Sequence, residues 1–217
     1  MKKLISIFAV MFLLSFGGTL LANPVQLIEL SVSPGANIKV NIPGIPYVGL
    51  AEAGVYNLGI DLDGDDESDL TLSGYCVDPA FSNTTAFTAY NFIAIPDQTN
   101  YLQAAWIFST YGTPATDATL AVDIQTAIWT VVGGGVDFTF PDGLSANALA
   151  YVAAAKAAVE AGWDATGGLS LAVSPNDTDY YGVEFQDYIV KTPEPASLLL
   201  LGLGLFGVGL VGRKKQS

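Results

Sequence analysis

Leu70-Thr71-Leu72-Ser73-Gly74-Tyr75-Cys76-Val77-Asp78 and Ala121-Val122-Asp123-Ile124-Gln125-Thr126-Ala127-Ile128-Trp129 decide how the chain is read. The first stretch alternates apolar and small polar residues, the period-2 pattern of a half-buried strand. In the second, Gln125, Ile128, Trp129 and, just beyond, Val132 fall at i, i+3, i+4 and i+7, one face of a helix. Cys76 is the sole cysteine of the 217 residues, so it has no disulfide partner in its own chain. A leftover thiol in an exported protein calls for intermolecular pairing, reactivity or plain burial. The distant Gln125 adds a fourth possibility, an internal thioester between the two side chains.

Working outward, strands flank this pair on both sides and helices lie between. Gln26–Val32 and Ile38–Ile42 alternate around a turn at Ser33–Asn37, and Ala53–Leu62 precedes the Cys76 strand. Residues 79–96 read as a long loop with some extended structure. Thr99 or Asn100 can cap a helix over Tyr101–Thr110, and Thr116 or Asp117 a second one reaching Val132. Ser145 can cap a third, alanine-rich helix ending near Ala161. Phe138–Phe140, Ser170–Val173 and Tyr181–Val190 return to β. Strands, helices, then strands predict an α+β fold, with antiparallel β-structure carrying Cys76 and a helical subdomain carrying Gln125.

The acidic turn Asp61-Leu62-Asp63-Gly64-Asp65-Asp66-Glu67-Ser68-Asp69 fails the EF-hand pattern. Counted from Asp61, glycine falls at position 4 instead of 6, and Leu72 stands at position 12. It reads as a solvated hairpin turn, with Asp61, Asp63 and Asp65 a weak calcium candidate. No other metal and no cofactor is called for.

Charge and composition exclude several functions. Residues 23–192 hold three lysines against twenty acidic residues, a net charge of −17, which repels phosphate backbones. Nucleic-acid binding is therefore not expected. With no histidine, Ser-His-Asp and Cys-His catalysis and His-ligated zinc are ruled out, and no carboxylate pair stands out for hydrolysis. The chain does not read as an enzyme.

The ends read as addresses. Met1-Lys2-Lys3, the apolar run Leu4–Leu14 and Ala22 before Asn23-Pro24 form a signal-peptide pattern over residues 1–22. At the other end Pro193-Glu194-Pro195 precedes the apolar run 196–212 and the basic cluster Arg213-Lys214-Lys215. A run of this length, with its basic flank on the cytoplasmic side, predicts a transmembrane helix with the body exported. The three-part order over 191–217 resembles the PEP-CTERM sorting signal of Gram-negative bacteria. That resemblance implies processing by an exosortase in organisms that make extracellular polysaccharide. It also implies inner-membrane anchoring before processing, and a final place on the cell surface or in its matrix.

Tyr75-Cys76-Val77-Asp78 on a strand, followed 49 residues after the cysteine by Gln125-Thr126-Ala127-Ile128-Trp129 on a helix, resembles the thioester domain of bacterial surface adhesins. The resemblance implies a Cys76–Gln125 thioester within a domain spanning 23–190, and an amine-bearing surface protein or polymer as covalent partner. Gln103, ahead of Ala104-Ala105-Trp106, is a rival amide, but only Gln125 has the family's Gln-x-x-x-Trp spacing. Tyr75, Asp78, Ile128 and Trp129 are then expected to shield and support the bond. The alternative is a non-covalent carbohydrate or matrix-binding module with a buried structural cysteine, using aromatics such as Tyr90, Phe92, Tyr180 and Tyr181.

Overall fold

The computed structural model describes residues 25–41, 48–78, 86–112, 117–133, 139–165, 168–174 and 185–191. The signal peptide 1–22, the sorting signal from Pro193 to Lys214 and the apolar run 196–212 lie outside these residues.

Among the described residues six strands make the β-structure: β1 (Val25–Val40), β2 (Gly49–Asp61), β3 (Leu70–Cys76), β4 (Thr88–Ala94), β5 (Leu169–Val173) and β6 (Tyr188–Lys191). Every pairing is antiparallel, and the order β1-β2-β3-β6-β5-β4 closes through Val25–Leu27 against Thr88–Tyr90. The expected α+β composition with antiparallel strands is present; closure into a barrel was not foreseen. Two expectations on the strands need correction. Ser33–Asn37 does not separate two strands: β1 runs through it and absorbs the irregularity as register shifts at Glu29/Ser31 and Val32/Gly35. Part of the supposed loop 79–96 is β4, whose partners, β1 and β5, lie far away in sequence.

Among the described residues the helices are α1 (Thr99–Tyr111), α2 (Ala118–Val132) and α3 (Ala146–Glu160). The Asp117 side chain caps α2 by accepting from Leu120 N at 2.8 Å, and Ser145 caps α3 by accepting from Ala148 N at 3.0 Å. The cap of α1 is Gln98, without a side-chain bond, in place of Thr99 or Asn100. The helices pack on one another, and α2 also lies against β1, β2 and β3. A helix so enclosed must be apolar nearly all round, and residues 123–129 of α2 are buried without a break.

The alternation of the strands sorts the core into two clusters. Tyr75, Val77, Leu171 and Ile189 join the helical side chains, whereas Tyr56, Leu58, Leu72, Cys76, Tyr90, Tyr188 and Val190 form the other cluster with Trp129 of α2.

Candidate functional site

The site begins where a ladder stops. In β3, Val77 N donates to Asp187 O at 2.9 Å and Cys76 faces Tyr188, so Cys76 is in a non-hydrogen-bonded pair with β6. Its own N–H and C=O therefore point towards β2. Yet the β2–β3 register ends two residues earlier, at Tyr56 and Gly74. Two backbone groups at a fully buried residue would be left unmatched. The Gln125 carboxamide fills that place. Cys76 N donates to Gln125 Oε1 at 3.1 Å, and Gln125 Nε2 donates to Cys76 O at 2.7 Å. Both residues have no solvent exposure. The structure thus brings Gln125 to Cys76, while Gln103 stays half-buried on α1.

The thiol is held in its neutral form. Burial pushes its pKa well up, and the Asp78 carboxylate pushes it the same way. The Trp129 indole N–H and the Asp78 backbone N–H oppose these effects as donors to sulfur. By distance and angle the indole N–H closes no hydrogen bond among the described residues.

The four expected supports divide by strand face. Trp129 shares the cluster of the thiol. Tyr75 does not cover the sulfur: it is one residue along the strand and so points the other way, its ring edge-on to Phe108 at 5.3 Å. Ile128 joins it on the helical side. Asp78 accepts from Asp187 N at 3.3 Å, tying the end of β3 to the start of β6.

Around the thiol lies a set of groups that sequence reasoning missed. Tyr188, the cross-strand neighbour of Cys76, donates to Glu29 Oε2 at 3.1 Å, and its ring packs against Tyr56 and Tyr90 at 5.3 and 6.2 Å. Tyr90 and Tyr56 donate to the carbonyls of Gln186 and Glu52 at 2.9 and 2.7 Å. Burial raises the Glu29 carboxyl to about 7; the Tyr188 hydrogen bond opposes this and the charge of Glu52 adds to it. The three tyrosines come from three strands far apart in sequence, so no local pattern announces them. The same packing withdraws two aromatics from the binding surface that the alternative reading expects to be exposed: Tyr90 is fully buried and Phe92 packs against this cluster. Tyr180 and Tyr181 lie outside the described residues.

The acidic turn is organised by backbone donors to Asp61. Asp61 accepts from the backbone N–H of Asp63, Gly64 and Asp66 at 3.1, 2.6 and 3.0 Å, and the Gly64 bond leads in holding its carboxyl below the usual range. Asp63 moves up, because Asp65 and Asp69 crowd it with like charge. Asp61, Asp63 and Asp65 do converge, but the oxygens of Asp61 are already committed to the turn.

Comparison with known proteins identifies one end of the chain. Residues 191–215 match the PEP-CTERM protein-sorting motif. Neither a curated protein nor a solved structure matches the chain. The match makes 191–215 a C-terminal sorting signal of the kind exosortase recognises. The protein is accordingly exported, its tail held in the membrane until processing. Among the described residues no helix is long and apolar enough to cross a bilayer.

Proposed function

We propose that this is a surface or matrix-associated protein of a Gram-negative bacterium whose Cys76 and Gln125 form an internal thioester for single-use covalent attachment to an amine-bearing partner. What carries the reading is the two-bond clasp of the Gln125 carboxamide on the Cys76 backbone, with both residues fully buried. The thiol sulfur attacks Gln125 Cδ, the C–N bond breaks, and nitrogen leaves as ammonia carrying the thiol proton. Charge developing on Oε1 meets the Cys76 N–H, a donor already 3.1 Å away. Fixed proximity supplies the effective concentration that a buried neutral thiol otherwise lacks. Water exclusion around Trp129 then protects the acyl bond from hydrolysis. An amine entering later becomes amide-linked to Gln125 and restores Cys76 as the thiol, so there is no turnover.

A second reading draws on the same clasp. The amide completes a β-ladder, which a buried structural cysteine and a non-covalent carbohydrate or matrix-binding module would also use. Intact mass separates the two. A deficit of one ammonia, localised to peptides holding Cys76 and Gln125 and reversed by methylamine, supports the thioester. A full mass with Cys76 alkylated only on unfolding refutes it.

A further inference from the structure

Resting on the thioester reading, we propose that the Trp129 indole N–H is the donor that holds negative charge on the Cys76 sulfur, when the thiol attacks Gln125 and again when an amine expels it. Among the described residues this N–H has no hydrogen-bond partner, although Trp129 is without solvent exposure. A buried donor left unused is costly, so a site that keeps one calls for a reason. Trp129 and Cys76 share one side-chain cluster. Burial pushes the thiol pKa up, and the indole N–H, as a donor to sulfur, pulls against it. The neutral thiol is a weak acceptor. A sulfur carrying charge is a better one, since charge-assisted bonds are shorter and about twice as strong. The donor is in place before the charge appears, the arrangement that stabilises a transition state without reorganisation.

Helix α2 delivers the donor and the electrophile to the same residue. Gln125 and Trp129 are four positions apart, so they lie about 40° apart around the helix and about 6 Å along it. The Gln125 carboxamide is fixed on the Cys76 backbone, while the indole packs in the cluster that holds the Cys76 side chain. The usual means of favouring a thiolate are histidine, lysine, arginine or a helix N-terminus. Residues 23–192 contain no histidine and no arginine, and their three lysines, Lys39, Lys156 and Lys191, are exposed. The Asp78 and Glu29 carboxylates oppose charge on the sulfur; favouring it are the Trp129 indole and the Asp78 backbone N–H. In the opening step the amine nitrogen bonds to Gln125 Cδ and the C–S bond breaks with its electron pair on sulfur. A proton shed by that nitrogen ends on the sulfur. The indole keeps its own proton throughout, donating a hydrogen bond until the sulfur is neutral again.

The test uses the full chain in mild detergent and follows opening by methylamine with intact mass. Trp129 is replaced site-specifically by 3-benzothienylalanine, which keeps the shape of the indole but has sulfur in place of the N–H. A second protein carries 5-fluorotryptophan there, whose N–H is the stronger donor. Opening is expected to be about tenfold slower or more without the N–H, and faster than wild type with the fluorinated ring. Packing alone predicts no such order, since both replacements fill nearly the same space. If the benzothienylalanine protein does not fold, the fluorinated one alone decides. An ammonia deficit in every protein with equal opening rates, or with the fluorinated ring slower than wild type, overturns the donor and spares the thioester. A full mass in the wild type overturns both.

Discussion

On the thioester reading, opening the proposed Cys76–Gln125 link with methylamine should destabilise the protein by an amount set by chain geometry. The two residues are 49 positions apart. A cross-link over a loop of that length restricts the unfolded chain by about 4 kcal/mol in the chain-entropy model. The thioester gives up the Gln125 Nε2 bond to Cys76 O, which offsets about 1 kcal/mol. Methylamine leaves an N-methyl amide, which keeps an acceptor for Cys76 N–H and one donor for Cys76 O. The native clasp is thereby restored as the cross-link is lost, and the net loss is about 3 kcal/mol. Cys76→Ala should lose slightly more, since the clasp uses only backbone atoms of Cys76. Gln125→Ala should lose most, because it also strands a buried N–H and C=O, at about 1–3 kcal/mol each. Urea unfolding followed by tryptophan fluorescence would read these as midpoint shifts of about 1 M or more. If methylamine leaves the midpoint unmoved and Cys76→Ala costs no more than about 1 kcal/mol, the cross-link is absent and the reasoning fails.

Other outcomes follow from single groups. The Tyr75 hydroxyl is buried without a hydrogen-bond partner among the described residues, so Tyr75→Phe should leave stability unchanged or raise it by about 1 kcal/mol in the same assay. Glu29 has its carboxyl raised to about 7, above its unfolded value. Its contribution is therefore fully present below about pH 4.5 and lost as pH rises through 7, and Glu29→Gln should flatten urea midpoints measured between those limits. Gly74 lies so close to β6 that an added Cβ would stand 2.7 Å from Ile189 O, and Gly74→Ala should cost about 1–3 kcal/mol. Calorimetry with calcium should give no heat that Asp61→Asn removes, because Asp61 already caps three backbone N–H groups of its turn.

What the sequence determined by itself is local. The caps Asp117 and Ser145 and the 3.6-residue period of α2 announce their helices, because bonds within one turn decide them. The sorting signal at 191–215 is legible for the same reason: order and composition along the chain carry it. Tertiary structure decided the rest. Whether β1 turns or bends, where β4 lies and how the barrel closes depend on partners distant in sequence. Cys76 and Gln125 could be nominated from their patterns. Only the early end of the β2–β3 register explains why the amide must reach the cysteine backbone. The Glu29–Tyr188 contact had no sequence signal at all. Its two residues become neighbours only when strands far apart in the chain pack together.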